Sequence, residues 1–213
     1  VIDRIYAGDL TVKWCADYVS NSSAATLTVA DSGQPLFIAG KPITSKPALV
    51  THPSQPNGIA PNALVFFGTG QYLVDTDVTN TDVQAFYGIW DHGTAAITSA
   101  QLVEQTFLSN TFTNNGVNVS NRFTVLTNNT VDYATKQGWF IRLTQNTGER
   151  VIVDPDVFGD FLFFNTWIPE NTVCSAGGSG VLMSIDLVTG GRPEIAPFDL
   201  NGDNTIDSTD LLL

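Results

Sequence analysis

The chain has 213 residues, enough for one sizeable hydrophobic core or for part of a larger one. Its 21 acidic residues against 9 basic ones give a formal net charge of −12, which argues against binding to nucleic acid or to an anionic membrane. Seventeen of the acids are Asp, which favours turns and metal loops over helices, so we expect little helix. No apolar run approaches the ~20 residues that a membrane-spanning helix needs.

Short apolar segments bounded by Gly, Asn, Asp and Pro follow one another along the chain. The predicted strands are residues 5–7, 25–30, 36–38, 63–67, 86–90, 122–126, 139–143, 150–153, 161–167 and 181–187. Residues 161–164 are continuously apolar, which is typical of a strand buried on both faces. Only residues 99–108 could form a short helix, and they could equally form a strand.

The regular spacing of these strands predicts an all-β sandwich, barrel or propeller. Three apolar strands end in Gly-containing turns, at residues 6–10, 67–70 and 87–91, and these weak repeats favour a propeller. At about 40–50 residues a blade, the chain holds roughly four to five blades. We therefore predict a partial β-propeller, part of an incomplete ring.

Cys15 and Cys174 are the only cysteines. A single pair in an acidic, loop-rich chain fits a disulfide formed in an oxidising compartment. Two unrelated buried thiols are the alternative, because sequence alone does not fix connectivity.

The C-terminal residues 199–213 carry the most informative pattern in the chain. Oxygen-bearing side chains fall at loop positions 1, 3, 5, 9 and 12, the spacing of an EF-hand-type calcium loop. The predicted Ca²⁺ ligands are Asp199, Asn201 and Asp203 through their side chains, Thr205 through its carbonyl, Asp207 directly or through water, and Asp210 through its carboxylate. Ile206 should turn inward, and residues 211–213 should begin an outgoing helix.

Two positions depart from the EF-hand pattern. Position 6 normally holds Gly at positive φ, and here it is Asn204, the best substitute. Position 12 is Asp210 instead of the longer Glu, which resembles dockerin loops. Pro193 and Pro197 disfavour an incoming helix. The alternative interpretation is an Asx-rich surface turn without metal.

An ordered set of short motifs resembles the C-terminal propeller domain of the PilY family of type IV pilus biogenesis and tip proteins. The matching stretches are residues 3–10, 34–37, 43–47, 65–73, 86–91, 102–105, 138–140, 148–151, 168–169, 174–178 and 187–191. They cover nearly the whole chain in one order. Around residues 14–17, in the first blade, the chain departs from the family's usual sequence pattern.

The resemblance implies a modified β-propeller related to quinoprotein dehydrogenases but without their chemistry, over residues 1–198. Residues 199–213 would then form a separate EF-hand-like or dockerin-like calcium loop. It also implies calcium-regulated pilus extension and retraction, surface adhesion, and a location at the cell surface reached through the periplasm. The implied partners are minor pilus subunits or a host or surface ligand. Members of the family commonly have another calcium loop just before the strand at residues 6–9. Only the last residue of that loop, Asp3, would be present in this chain.

No set of residues predicts an enzyme. His52 and His92 lie in no metal or triad spacing and are expected in surface loops. Asp75, Asp77 and Asp82 are expected in a solvated turn, since their spacing is not that of a calcium loop. Two alternative functions stay open: a fragment of a quinoprotein-type dehydrogenase, and a β domain that carries a dockerin-like docking module.

Overall fold

The computed structural model describes residues 2–5, 34–58, 61–94, 96–108, 113–114, 117–118, 124–170 and 177–211. Within these ranges the chain forms strands and short 3₁₀ turns, and no helix there is long and apolar enough to cross a membrane. The strands are β1 (Ile2–Ile5), β2 (Phe37–Ile43), β3 (Ala48–Thr51), β4 (Ala63–Gly68), β5 (Ala85–Asp91), β6 (Val103–Gln105), β7 (Thr113–Asn114), β8 (Val117–Asn118), β9 (Gly138–Arg142), β10 (Asp156–Phe158), β11 (Phe161–Asn165), β12 (Ile168–Pro169), β13 (Gly178–Ser179) and β14 (Leu182–Asp186). The 3₁₀ turns are Asp75–Thr79, Ser99–Gln101 and Ser208–Asp210.

The strands assemble into blade-like sheets. The largest has the order β3-β4-β5-β9-β6, in which only β6 runs parallel to its neighbour. A second sheet, β10-β11-β14, is antiparallel throughout. The pairs β1–β2, β7–β8 and β12–β13 form two-stranded ribbons. Small, mainly antiparallel sheets of this kind are the pattern of propeller blades.

The five-stranded sheet is covered on both faces. Side chains alternate along β4, so Leu64 and Phe66 pack into one apolar cluster while Val65 and Phe67 pack into another. The first cluster extends to β11 and β14 of the neighbouring sheet. A sheet buried on both sides explains why β4 is almost continuously apolar.

Trp139 occupies the centre of the larger cluster and is fully buried. Its indole lies so close to two glycines that a Cβ on Gly88 would be 2.4 Å from Cε2, and one on Gly190 would be 2.1 Å from Cδ2. Its Nε1 donates a hydrogen bond to the carbonyl of Leu187 over 3.2 Å. One large side chain thus ties β9 to β5 and to the turn that follows β14.

The sequence-based strands at 63–67, 86–90, 139–143, 161–167 and 181–187 are confirmed, and the all-β prediction holds over the described residues. Residues 99–108 form a 3₁₀ turn followed by β6. In place of the predicted strand at 150–153, the structure has a single β-bridge between Arg150 and Trp167. In the described part of the predicted strand at 122–126, it has a single β-bridge between Leu126 and Phe107. The predicted strand at 25–30, Cys15 and Cys174 lie outside the described residues.

Candidate functional site

The C-terminal loop is organised by side-chain oxygens that accept backbone N–H bonds. Asp199 Oδ1 and Oδ2 accept from Gly202 and Asn204 over 2.6 and 2.9 Å. Asn201 Oδ1 accepts from Asp203, and Asp203 Oδ1 accepts from Thr205, each over 2.8 Å. The bonds of Asn201 and Asp203 are successive Asx turns, in which a side-chain oxygen holds the N–H two residues further on.

Asp210 closes the loop. It is 1% exposed, and its Oδ1 accepts from the N–H groups of Leu200 and Asn201 over 2.8 and 3.0 Å. Its Oδ2 accepts from the N–H of Asp207 over 3.0 Å. The N–H of Asp207, together with those of Leu200 and Asn201, lowers the pKa of Asp210 below its ordinary value. The carboxylate at position 12, that of Asp210, therefore connects the two ends of the loop through hydrogen bonds.

Asn204 adopts a φ of 66°, which confirms the positive φ predicted for loop position 6. Two other details of the predicted loop are wrong. The helical turn spans Ser208–Asp210 and Leu211 is already extended, so the outgoing helix does not begin at 211. Ile206 is 57% exposed and does not turn inward. Asp207 caps the turn by accepting from the N–H of Thr209 over 2.8 Å.

The donors of this loop suit a hard cation in their chemistry. All six predicted ligands offer oxygen, which Ca²⁺ prefers. Asp207 Oδ2 and the carbonyl of Thr205 accept no hydrogen bond within the described residues. Asp210 uses three of its roughly four lone-pair sites on N–H groups. No three His, Cys, Asp or Glu side chains converge as a metal site in the described part of the chain. Binding would therefore require the carboxylates to turn inward.

Asp77 is buried, which contradicts its predicted place in a solvated turn. It is 3% exposed, and it accepts hydrogen bonds from Gln71 Nε2 and from the N–H groups of Leu73 and Val74. These bonds, led by that of Leu73, lower the pKa of Asp77. Arg150 lies against the same turn, 2% exposed. Its guanidinium donates to the carbonyl oxygens of Gly148, Gln71, Asp77 and Asn80. This arrangement is a structural brace.

The prediction for His52 is also wrong, because His52 is fully buried. Its ring meets Tyr133 edge-on with centroids 4.2 Å apart, and it meets Trp90 at 5.2 Å. Its Nε2 has no hydrogen-bond partner. Burial lowers the pKa of His52 and raises that of the Tyr133 phenol. His92 also packs against Trp90, with ring centroids 4.2 Å apart, and its Nε2 contacts Gln137 Oε1.

A cavity of about 630 Å³ lies beside the C-terminal loop and was not foreseen from the sequence. Its wall includes β14, residues 124–126 and the C-terminal segment that runs from Arg192 to Leu211. Asp210 belongs to both the loop and this wall. The lining comes from three segments that are far apart in sequence, so no local pattern predicts the cavity.

Antiparallel sheets with aromatic layers on both faces define a β-propeller-type domain. The chain belongs to the PilY1 β-propeller family, because the sequence model of the family described as "PilY1 beta-propeller domain" matches residues 4–122. A solved structure, the PilY1 C-terminal domain of Pseudomonas aeruginosa, superposes with a TM-score of 0.70 at 26% identity, over 86% of this chain and 40% of that chain.

Curated relatives agree with this assignment. The type IV pilus biogenesis factor PilY1 of Pseudomonas aeruginosa is 29% identical over 98% of this chain and 21% of its own length. A PilY1 homolog of Xylella fastidiosa is 30% identical over 94% of this chain and 16% of its own length. The chain thus spans about a fifth of these relatives.

Proposed function

We propose that this chain is the β-propeller part of a type IV pilus biogenesis factor of the PilY1 kind, acting without catalysis at the cell surface. The family match, with relatives named for pilus biogenesis, carries the proposal. Its partners would be minor pilus subunits or a host or surface ligand. The surface charge supports a protein partner over nucleic acid, because the chain carries a formal charge of −12.

The C-terminal loop would make this activity responsive to calcium. Asp199, Asn201, Asp203 and Asp207 would supply side-chain oxygens, Thr205 its carbonyl, and Asp210 the carboxylate that closes the loop. The ion would neutralise carboxylates that otherwise repel one another and would fix the loop in one conformation. The sequence spacing and the oxygen-only donor set support this assignment.

Calorimetry on matched variants tests the metal site. Asp203→Asn keeps an oxygen that can accept from the N–H of Thr205 and removes only the charge. Asp75→Asn removes the same charge from an exposed position in a different turn and serves as the control. We expect calcium binding to weaken in Asp203→Asn and to be unchanged in Asp75→Asn. Equal binding in wild type and Asp203→Asn would place any ion elsewhere.

The pilus role is tested in the bacterium that carries the full-length protein. Deleting the segment that corresponds to residues 1–213 from the chromosome should abolish or sharply reduce sheared surface pili. Asp203→Asn should leave pili present but remove their dependence on external calcium, while Asp75→Asn should behave as wild type. Normal piliation in the deletion strain would refute the proposed role, whatever the outcome of calorimetry.

A further inference from the structure

The cavity beside the C-terminal loop has an open strand edge in its wall. Among the described residues, strand β14 pairs only with β11, through Met183 opposite Phe164 and Ile185 opposite Leu162. At its ends the carbonyl of Val181 accepts from the N–H of Thr166, and the N–H of Leu187 donates to the carbonyl of Asp160.

In an antiparallel ladder, main-chain groups alternate between the two sides of a strand. The main-chain N–H and C=O groups of residues 181, 183, 185 and 187 therefore point toward β11. Those of Leu182 and Ser184 point away from it. Neither Leu182 nor Ser184 makes a main-chain hydrogen bond on that outer side within the described residues. Asp186, the next residue in this set, donates outward to the carbonyl of Gly191 over 3.0 Å. The Ser184 hydroxyl is buried and also has no hydrogen-bond partner in the described part of the chain.

The segment at residues 124–127 forms another wall. Its outer partner is residues 106–108, through the carbonyl of Val125 and the N–H of Thr127, at 2.8 and 2.9 Å. Leu126 lies between these two residues, lines the cavity, and has no main-chain hydrogen bond among the described residues. The N–H of Arg192 donates to the carbonyl of Thr127 and joins this segment to the turn after β14. The cavity therefore lies between two strand-like segments with unpaired main-chain groups.

Main-chain groups at an open strand edge offer donors and acceptors in an alternating array that another strand can pair with. An extended peptide supplies N–H and C=O groups on both edges, whereas a compact small molecule does not reproduce this spacing. The apolar lining, with Val125, Leu182 and Phe198, suits branched apolar side chains on alternate residues. Asp210 lines one end of the cavity, and the exposed carboxylates of Asp203 and Asp207 belong to the same loop, which favours Lys or Arg there.

We propose that this cavity is a docking site for a strand of another protein, an extended segment with alternating apolar side chains and a basic residue at one end. The strand adds to β14 and contacts Leu126 across the cavity. The assignment rests on the open edge and the apolar lining, and it does not depend on metal binding by the loop. A second copy of this chain is disfavoured, because two chains of charge −12 repel one another.

The test uses a fluorescein-labelled peptide of alternating Val and Thr with a Lys at each end, titrated with the whole 213-residue chain and followed by fluorescence anisotropy. Saturable binding that weakens at high salt is expected. Methylating the backbone nitrogens of the Val residues, or of the Thr residues, should weaken binding about tenfold or more, because each set supplies the hydrogen bonds of one strand edge.

Two exposed leucines on edge strands provide the matched variants. Leu182 in β14 is 54% exposed and Leu49 in β3 is 55% exposed, so neither change should disturb folding. Leu182→Asn should weaken peptide binding and Leu49→Asn should not. The proposal is overturned if the peptide does not bind wild type, which includes the case of a cavity filled by this chain itself. It is also overturned if methylated peptides bind equally, or if Leu49→Asn has the same effect as Leu182→Asn.

Discussion

The guanidinium of Arg150 donates a hydrogen bond from Nη1 to the main-chain carbonyl of Asp77 over 2.8 Å, and both residues are buried. The Asp77 carboxylate meanwhile holds the N–H groups of Leu73 and Val74. The 3₁₀ turn Asp75–Thr79 is thus stabilised by the carboxylate of Asp77, which lies within it. It is also stabilised by the guanidinium of Arg150, 73 residues further along the chain.

Arg150→Lys should destabilise the domain by about 3 kcal/mol, because an ammonium cannot serve the carbonyl oxygens that the planar guanidinium reaches, and buried acceptors lose their partners. Urea unfolding provides the measurement. Arg142→Lys is the control, since Arg142 is exposed and pairs with Glu104 at the surface. A loss below about 1 kcal/mol is expected there. Equal losses in the two variants would mean that the brace does not stabilise the fold.

Stability should fall in mild acid because of His52. Burial sets its folded-state pKa below the ordinary value of 6.5, so the unfolded chain takes up the proton first. Above the pKa of His52 in the unfolded chain, this residue causes no loss of stability. Stability decreases as pH falls from about 6.5 toward the pKa of His52 in the folded protein.

Thermal melts of wild type, His52→Gln and His92→Gln between about pH 8 and pH 5 isolate this effect from other titrating groups. We expect the slope to become shallower in His52→Gln and to persist in His92→Gln. If all three proteins show the same pH dependence, His52 is not its source.

Gly88→Ala should cost roughly 2–3 kcal/mol, because the new methyl group would enter the indole of Trp139, which is fully buried. Gly40→Ala is the comparison. Its Cβ would meet nothing within 4 Å, but its φ of 67° is unfavourable for Ala, so a loss of about 1 kcal/mol is expected. Denaturant unfolding that gives the reverse order would mean that the cluster relaxes around the added methyl group.

Calcium should raise the unfolding free energy by about 2.7 kcal/mol at a hundredfold excess over its dissociation constant. Mg²⁺ should give little of this effect, since it demands a smaller octahedral shell. Differential scanning calorimetry with each ion in turn makes the measurement, and Asp199→Asn should remove the calcium increment. An equal increment from both ions would indicate general charge screening.

A disulfide between Cys15 and Cys174 stays a prediction, since both residues lie outside the described part of the chain. Closing a loop of this length would stabilise the chain by about 4–5 kcal/mol in the chain-entropy model. Thiol counting under denaturing, non-reducing conditions gives the answer: no reactive thiol is expected, and two would mean that the pair is unbonded.

Strands whose own residues are mostly apolar are the ones that the sequence predicts best. β4 and β5 are dense in apolar residues because the five-stranded sheet is covered on both faces. The continuous apolar run in β11 misled the prediction of burial on both faces, because Leu162 and Phe164 are buried while Phe161 and Phe163 are only half-buried. β3 and β10 escape prediction because they are half exposed and owe their conformation to pairing with β4 and β11.

The same limit applies to the sites. Loop positions 199–210 are local, so the positive φ of Asn204 follows from spacing alone. His52 and Asp77 owe their burial to residues far along the chain, Tyr133 and Arg150, and were misplaced at the surface. The open edge of β14 is a property of sheet order, which no single segment encodes.

The double membership of Asp210 has a thermodynamic consequence. Its carboxylate clasps the loop, and the same residue forms part of the cavity wall. If a strand in the cavity changes the affinity of the loop for calcium by some factor, calcium must change the affinity for the strand by the same factor. A pilus-associated domain built in this way would hold its partner more or less firmly as external calcium varies, and an engaged partner would in turn alter how much ion the surface retains.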